Sequence, residues 1–244
     1  GDWSSDVCSS DLEDSPAIKA AAEQHKRQLH NLRHPTQAFK TGRGEKRAGK
    51  RALTVGMDCS IGKKYTALAI AQEMSARGMK VDFRATGQTG VLIAERGIAI
   101  DAIVSDFIAG AAEWLSPAND LDHWDIIEGQ GSLFHAAYAG VTLGLMHGSQ
   151  PDALILCHEP TRKHMRNLPH MPIPKLEDAF EPYLTLARLT NPKVRFVGVS
   201  VNTSNVSEKE GDQLLAQIED RFSLPAVDPI RQGPGKIVDE LIKI

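Results

Sequence analysis

Short apolar runs alternate with longer amphipathic segments from residue 51 to the C-terminus, and this alternation constrains the fold more than any other feature. Short apolar runs are typical of buried strands, and apolar residues spaced about three or four apart are typical of helices. Strands that alternate with helices build a mostly parallel sheet with helices on both faces, so we predict a three-layer α/β fold. The predicted strands cover 51–56, 80–84, 124–128, 152–157, 194–201 and 225–228, and the predicted helices cover 63–77, 101–115, 135–147, 176–190, 207–222 and 234–243.

The composition is that of an ordinary globular protein, and it argues against several function classes. The 244 residues are 41% hydrophobic and 24% charged, with a formal net charge of −3. This balance gives no electrostatic basis for binding nucleic acid or an anionic membrane, and no apolar run approaches the ~20 residues of a spanning helix. Three cysteines (Cys8, Cys59 and Cys157) fit a reducing compartment. We expect a cytoplasmic protein that binds a small-molecule substrate and forms a homo-oligomer.

The first fifty residues differ in character from the rest. Residues 1–12, GDWSSDVCSSDL, have no helical or strand period and resemble the translation of a sequencing-adapter fragment, so we predict a non-native segment. Ser15 and Pro16 predict a helix start, and we expect that helix to run to about Arg33. The polar and basic stretch 35–50 predicts a linker. The predicted parts are thus 1–12, a helix with a linker over 13–50, and an α/β domain over 51–244.

The loops that follow the predicted strands carry the functional predictions, because parallel sheets bind ligands beyond the carboxyl ends of their strands. Each of these loops is rich in small and polar residues, which packing alone does not explain. They cover residues 56–64, 85–90, 128–132, 158–162 and 202–205. We predict that the ligand site lies where they meet.

The first of these loops has the pattern of a phosphate-binding loop. Gly56 and Gly62 bracket it between a strand and a helix, and Lys63 follows. Glycines allow the backbone to approach a phosphate, and the N–H groups of the curled backbone and of the helix N-terminus attract the anion. The predicted contacts in this loop are Gly56, Asp58, Cys59, Ser60, Gly62, Lys63 and Lys64.

This loop departs from the usual nucleotide-triphosphatase pattern in two ways. Five residues separate Gly56 from Gly62, one more than usual. Lys64 occupies the position where Ser or Thr normally binds magnesium, and Thr66 is a doubtful substitute because it points differently. Two adjacent lysines suit a diphosphate that is bound by direct charge rather than through a metal. These residues leave open whether the phosphates belong to ATP or to another ligand.

The loop RATGQTG (84–90) provides predicted contacts to the substrate. The guanidinium of Arg84, at the end of a strand, could hold a carboxylate through two hydrogen bonds. Thr86 and Gln88 offer further donors. Arg162, in CHEPTR (157–162), is a second cation that could face the substrate.

Three side chains are candidates for a general base. Glu128 lies at a strand end among apolar neighbours, a setting that raises the pKa of a carboxyl group. His135 and His158 carry imidazoles, which titrate near neutral pH. Cys59 lies near a helix N-terminus, where a thiolate is favoured, so an acyl-cysteine intermediate is an alternative. Cys157 and His158 are neighbours on one strand and point to opposite faces, which argues against a thiol–imidazole pair there.

Five stretches together resemble the C-terminal part of a bacterial and archaeal family that has long been described as a domain of unknown function. They are GMDCSIGKKYTAL, FRATGQTG, IEGQGSLFH, CHEPTR and VSVNTS. One branch of this family is the DgcN-type D-glutamate N-acetyltransferases. The glycine spacing, the IIEGQGS segment and Asn202 are also similar to the dethiobiotin synthetase group of P-loop enzymes. The resemblance implies a P-loop NTPase-like domain that follows a missing N-terminal domain.

The resemblance further implies transfer of an acetyl group from acetyl-CoA to the amino group of D-glutamate, a step of amino-acid metabolism. The phosphate loop would hold the CoA phosphates, and one of the three candidate bases would accept a proton from the amine. The amides of residues 60–63 or the Asn202 side chain would stabilise the oxyanion. Arg84 and Arg162 would each hold a substrate carboxylate.

Two other functions stay open on the residues alone. An ATP-dependent ligase or kinase of the dethiobiotin synthetase type would use Asp58 and Glu128 as magnesium ligands. A non-catalytic nucleotide-binding module would keep the phosphate loop and need no base. In the acetyltransferase interpretation we expect no metal.

Overall fold

The computed structural model describes residues 14–35 and 37–244, so the prediction for residues 1–12 lies outside the described residues. The strands are β1 (Lys50–Gly56), β2 (Val81–Arg84), β3 (Trp124–Ile127), β4 (Ala153–His158), β5 (His164–Met165), β6 (Leu168–Pro172), β7 (Arg195–Val201) and β8 (Ala226–Val227). The helices are α1 (Pro16–Gln24), α2 (Lys63–Ala76), α3 (Gln88–Ala94), α4 (Ile108–Leu115), α5 (Ala139–Ser149), α6 (Phe180–Ala187), α7 (Glu208–Phe222) and α8 (Gly235–Ile242). Short 3₁₀ helices cover Ile100–Ala102, Ser105–Phe107 and Leu176–Ala179.

Six strands form one parallel sheet in the order β2-β3-β1-β4-β7-β8, which confirms the predicted α/β class. β1 lies at the centre, where Leu53 is opposite Ile127 of β3 and Leu154 of β4. The chain crosses from one side of β1 to the other between β3 and β4. The loops after these three strands therefore meet at a topological switch point, the usual ligand site of an open parallel sheet.

Helices cover both faces of the sheet and fix β1 between two cores. On one face α2 and α8 pack through Ile70 and Ile237 against strand residues such as Ile155. On the other face α5 and α6 pack against the opposite strand side chains, including Leu154. Each fully buried aliphatic side chain of this kind stabilises the fold by about 1.5–3 kcal/mol. None of the described helices combines the length and the apolar content that membrane crossing requires.

The strands within the sheet begin and end within one residue of their predicted positions, whereas the helices differ more. The first helix was predicted to reach Arg33 but ends at Gln24, which was wrong. Lys26 adopts a left-handed backbone with a φ of 51°, which ends the helix. Ala22 is its one buried residue, so the segment has no apolar face that would extend it.

Three helices of the domain begin later than predicted. α4 starts at Ile108 rather than at residue 101, because two 3₁₀ helices precede it and place Ile100 in a small core. α5 starts at Ala139 rather than at residue 135, because successive turns shape the chain before it. α6 starts at Phe180 rather than at residue 176, after a 3₁₀ helix. Each late start leaves irregular backbone before the helix.

Two elements beside the sheet were not predicted. α3 has only seven residues and includes Gly90, so its helical signal is weak. β5 and β6 form an antiparallel hairpin, with Met165 opposite Leu168 and a turn in which Asn167 has a φ of 60°. These elements follow β2 and β4, and both contribute to the ligand site.

The stretch 35–50 was predicted as a linker, but its described residues pack onto the domain. Arg47 donates to Ser116 O at 2.9 Å and to Gly148 O at 2.8 Å. Phe39 contacts the ring of Trp114 edge-on, with centroids 5.6 Å apart. The basic side chains of this stretch therefore fix it to α4 and α5 rather than only solvating it.

Candidate active site

The loop between β1 and α2 has the backbone of an anion cradle. Gly62 caps α2 with a φ of 116°, and Ser60 also has a left-handed backbone with a φ of 52°. The first N–H groups of a helix have no intrahelical partner, so the start of α2 is available to an anion. A Cβ on Gly56 would lie 2.8 Å from Ile61 Cδ1 and 3.3 Å from Asp58 O, so the loop packs closely around this glycine.

The two lysines of the loop differ in burial and in contacts. Lys63 is buried, and its Nζ donates to Asp58 O at 2.7 Å. Burial lowers the pKa of the Lys63 ammonium. Lys64 is half-buried, and its Nζ lies 4.8 Å from the ring centroid of Tyr65. The loop thus holds one cation beneath its backbone and a second one at its rim.

Asp58 is fully buried, and both of its carboxylate oxygens are engaged. Oδ1 accepts from Cys59 N at 2.7 Å, and Oδ2 accepts from Arg162 Nη1 and from Arg166 N, each at 2.8 Å. Arg162 also donates to Cys59 O at 2.7 Å and to Ser60 O at 3.2 Å. Arg162 was predicted to hold a substrate carboxylate, but its guanidinium clamps the phosphate loop instead. The predicted magnesium role of Asp58 would have to displace these partners.

Cys59 is a neutral thiol, so the predicted thiolate is wrong. Burial raises the pKa of Cys59 to about 11, against the opposing charge of Lys63. Ligand atoms of Asp58, Cys59 and His135 lie within 4.8 Å of one another, a spacing that a metal ion could bridge. The oxygens of Asp58 and the ring nitrogens of His135 are already hydrogen-bonded, however, so the cluster serves the loop.

Glu128 follows β3, the strand beside β1, and is 3% exposed. Its Oε2 accepts from Thr86 N at 3.0 Å and from Gly87 N at 3.1 Å, and its Oε1 accepts from Gln130 Nε2 at 3.2 Å. Burial raises the pKa of Glu128 above the usual value, although the amide hydrogen bonds and the loop lysines oppose the shift. A fixed carboxylate with a raised pKa is well suited to general-base catalysis.

Two of the three predicted substrate contacts after β2, Arg84 and Thr86, bind other residues of the protein. Thr86 Oγ1 donates to Glu128 O at 2.6 Å, so Thr86 holds Glu128 with its side chain as well as its amide. Gln88 is the first residue of α3 and is half-buried. Arg84 Nε donates to Asp125 Oδ1 at 2.7 Å, and its Nη2 lies 2.9 Å from Asp82 Oδ2. The guanidinium of Arg84 is therefore ion-paired, which contradicts a free carboxylate-binding role.

The two candidate histidines differ in what their ring nitrogens do. His135 Nδ1 accepts from Ala137 N at 3.2 Å, and Nε2 lies 2.9 Å from Arg166 O, so Nε2 carries the proton. Both nitrogens of His135 are engaged, which contradicts the predicted base role. His158 ends β4, and its buried Nδ1 has no hydrogen-bond partner among the described residues. Burial lowers the pKa of His158, so its imidazole is neutral and can accept a hydrogen bond or a proton.

The loop after β7 places Asn202 beside β4. Asn202 N donates to His158 O at 2.8 Å, and its side-chain Oδ1 accepts from Ser204 N at 3.1 Å. Asp228 accepts from Thr203 N at 3.1 Å and fixes the same loop. The amide NH₂ of Asn202 has no protein partner within the described part of the chain, so it remains available to a ligand.

Tyr183 is a site residue that sequence reasoning missed. It is fully buried on α6, where its hydroxyl donates to Gly56 O at 2.7 Å and accepts from Gly56 N and Leu133 N, each at 3.3 Å. The hydroxyl ties the start of the phosphate loop to the loop after β3. No local motif marks Tyr183; the only signal was a tyrosine within a predicted helix, since buried tyrosine hydroxyls need partners.

Known proteins resemble this chain in sequence and in structure. A family model described as "Domain of unknown function (DUF1611_C) P-loop domain" matches residues 38–238. A D-glutamate N-acetyltransferase from Tritonibacter scottomollicae is 54% identical over 233 residues, which are 96% of this chain and 70% of the relative. A D-glutamate N-acetyltransferase from Pseudoalteromonas is 53% identical over 224 residues, which are 92% of this chain and 68% of the relative. A crystal structure of a DUF1611 family protein from Anabaena variabilis superposes with a TM-score of 0.87 at 33% identity, covering 96% of this chain and 69% of that one.

Proposed function

The chain belongs to the DUF1611 family, and from that premise we propose that it transfers the acetyl group of acetyl-CoA to the amino group of D-glutamate. The two D-glutamate N-acetyltransferases that match it at 53% and 54% identity support the activity and the acceptor. The names of these relatives do not state the acetyl donor. We propose acetyl-CoA as the donor on the basis of the chemistry of the phosphate loop.

One observation carries the choice of donor: the loop keeps its anion cradle but offers poor magnesium ligands. Lys64 stands where a hydroxyl would bind the metal, and both oxygens of Asp58 accept hydrogen bonds from protein donors. Oε2 of Glu128 is likewise held by two backbone amides. These residues do not fit a magnesium ion, which an ATP-dependent ligase or kinase needs. Lysines and amides suffice for the diphosphate of CoA.

We assign the general base to Glu128. Oε2 is fixed by the amides of Thr86 and Gly87, and Oε1 accepts one hydrogen bond within the described residues, from Gln130. Oε1 takes a proton from the ammonium group of D-glutamate, and the nitrogen lone pair then attacks the thioester carbonyl. As the C–N bond forms and the C–S bond breaks, the amine nitrogen releases a second proton, which the leaving CoA thiolate takes up to give the free thiol. His158 is the alternative acceptor, because its Nδ1 has no partner among the described residues.

The tetrahedral intermediate carries an oxyanion that needs hydrogen-bond donors. The first N–H groups of α2, which have no partner within the helix, and the amide NH₂ of Asn202 lie at the carboxyl edge of the sheet. We assign the oxyanion to these donors, each of which typically contributes about 100- to 1,000-fold to the rate. Their partial positive charge complements the negative charge of Glu128.

The test is Glu128→Gln, assayed by CoA thiol release with D-glutamate and by calorimetric titration with acetyl-CoA. We expect kcat to fall by about 100- to 10,000-fold, since that is the range of general-base catalysis, with an unchanged Kd for acetyl-CoA. Glu240→Gln, on the surface of α8, serves as the matched control. Full activity of Glu128→Gln would remove the base assignment. A wild-type chain that releases ADP from ATP with magnesium and does not acetylate D-glutamate would contradict the function.

Two expectations about the setting of the reaction also stay proposals. We propose a cytoplasmic location, because Cys59 and Cys157 are free thiols, which persist in a reducing compartment. We also propose a homo-oligomer, as is common for α/β enzymes. Light scattering of the purified chain measures the oligomeric state directly.

A further inference from the structure

The hairpin of β5 and β6 concentrates positive charge beside the phosphate loop. Residues 160–176 contain no Asp or Glu; their basic residues are Arg162, Lys163, His164, Arg166, His170 and Lys175. Many other surface cations pair with carboxylates, for example Lys236 with Glu219 at 2.7 Å. We call residues 162–172 the basic hairpin.

The basic hairpin is fixed to the phosphate loop by its turn and its first residue. Arg166 N donates to Asp58 Oδ2 at 2.8 Å, and Arg166 O accepts from the buried ring of His135 at 2.9 Å. Arg162 Nη2 donates to Ser60 O at 3.2 Å. These contacts hold the hairpin at one side of the anion cradle.

Part of this charge is available to a ligand. The side chains of Lys163, His164 and His170 are exposed, and they have no hydrogen bond or ion pair among the described residues. The ammonium group of Lys163 therefore has no counter-charge among the described residues, and the two imidazoles add hydrogen-bonding groups on the same hairpin. A bound anion would supply this counter-charge, and the contacts of the hairpin with the phosphate loop place it near the cradle.

We propose that the basic hairpin is a second anion subsite, which binds the 3′-phosphate on the ribose of the CoA donor. This inference rests on the proposed function. CoA carries this phosphate monoester in addition to its diphosphate, whereas ATP and dephospho-CoA lack it. A phosphate monoester bears more than one negative charge near neutral pH, and lysine and histidine bind it by charge and hydrogen bonding. The phosphate loop then holds the diphosphate, and the hairpin distinguishes CoA from other nucleotides.

The experiment compares acetyl-CoA with acetyl-3′-dephospho-CoA as donors for the 244-residue chain. We expect the wild type to prefer acetyl-CoA by about tenfold in kcat/KM, as a charge-assisted contact with several donors allows. Lys163→Ala should reduce this preference to about threefold, in line with the loss of one exposed ion pair, and Lys163→Glu should abolish it. Lys193→Ala removes an exposed lysine next to the amino end of β7 and should leave the preference unchanged.

A binding assay without turnover separates this inference from the proposed function. Calorimetric titration with adenosine 3′,5′-bisphosphate and with AMP should show tighter binding of the bisphosphate, and Lys163→Glu should remove the difference. If the wild type acetylates D-glutamate but treats both donors alike, the subsite is refuted and the function stands. The subsite is also refuted if Lys163→Glu raises KM only for D-glutamate. If D-glutamate is not acetylated but the bisphosphate preference depends on Lys163, the function fails and the subsite stands.

Discussion

Gly90→Ala tests whether the position of the Glu128 carboxylate governs catalysis. Gly90 is buried in α3, against the carboxyl group that we assign as the base. A Cβ at this position would overlap Glu128 Oε2, and it would lie 3.1 Å from Glu128 Cδ and 3.2 Å from Ala85 Cβ. The added methyl group therefore meets the carboxylate on one side and the core on the other, and the carboxylate has to move.

The size of the effect follows from the hydrogen bonds of Glu128. Normal contact requires Oε2 to move by roughly an ångström, which breaks its bonds to Thr86 N and Gly87 N, now 3.0 and 3.1 Å long. Hydrogen bonds to a charged group are worth about 1.5–3 kcal/mol each, so we expect a loss of about 3 kcal/mol in stability after partial relaxation. A displacement of about 1 Å at a reacting group typically costs about 100-fold in rate.

The assay is steady-state acetylation of D-glutamate, with urea unfolding of the same samples. Gly140→Ala is the matched control, because a Cβ there meets nothing within 4 Å and alanine favours the helix by about 0.5–1 kcal/mol. We expect Gly90→Ala to lose about 100-fold in kcat/KM and Gly140→Ala to lose nothing. If Gly90→Ala stays within about twofold of the control, the position of the carboxylate does not limit the reaction, and the reasoning fails.

Three further substitutions test the neighbouring contacts. Tyr183→Phe should lower the free energy of unfolding in urea by about 1–3 kcal/mol, because two buried amides lose their acceptor. It should also raise KM for acetyl-CoA more than it lowers kcat. An unchanged KM would contradict the role of Tyr183 at the phosphate loop. Asp58→Asn should cost about 3 kcal/mol, because it removes the 2.8 Å ion pair with Arg162 and leaves that cation with the longer 3.6 Å pair to Glu159. A loss below about 0.5 kcal/mol would contradict the clamp. Burial raises the pKa of Glu128 in the folded chain, so its contribution to stability is complete below the pKa of the unfolded chain and is lost as the pH rises through the folded pKa. Glu128→Gln should therefore raise the urea midpoint at pH 7, and the gain should vanish near about pH 4; a gain that persists there would be inconsistent with this linkage.

The sheet and the phosphate loop were predictable because their signals are local. A buried strand needs a run of apolar residues, and a helix that starts on Gly62 after a glycine-containing loop needs only a few neighbouring residues to be recognised. Each such segment is stabilised by side chains that point to one of two cores, as Leu154 and Ile155 do. The short α3 and the β5–β6 hairpin were missed because few residues mark them, and Gly90 weakens the helical signal of α3.

The partners of the polar residues were not predictable, because contacts between distant segments decide them. Arg84 and Arg162 were both assigned to substrate carboxylates, yet each meets an aspartate more than 40 residues away along the chain. Tyr183 lies 127 residues from Gly56, whose backbone it holds. A cation at a strand end looks the same in a sequence whether it faces a ligand or a buried carboxylate. Only the fold determines which of the two is close enough to bind.

Two buried carboxylates of the site, Asp58 and Glu128, have different partners and different roles. Asp58 is neutralised by Arg162 and by backbone amides, so Lys63 and Lys64 give the loop a net positive field for phosphate. Glu128 has amides and a glutamine as its hydrogen-bond partners, and burial raises its pKa, so it retains the capacity to take up a proton. In a magnesium-dependent site both carboxylates would have to face the metal instead. The replacement of the magnesium hydroxyl by Lys64 and the engagement of Asp58 are therefore parts of one arrangement, which binds a phosphate-bearing donor by charge and leaves Glu128 for the amine.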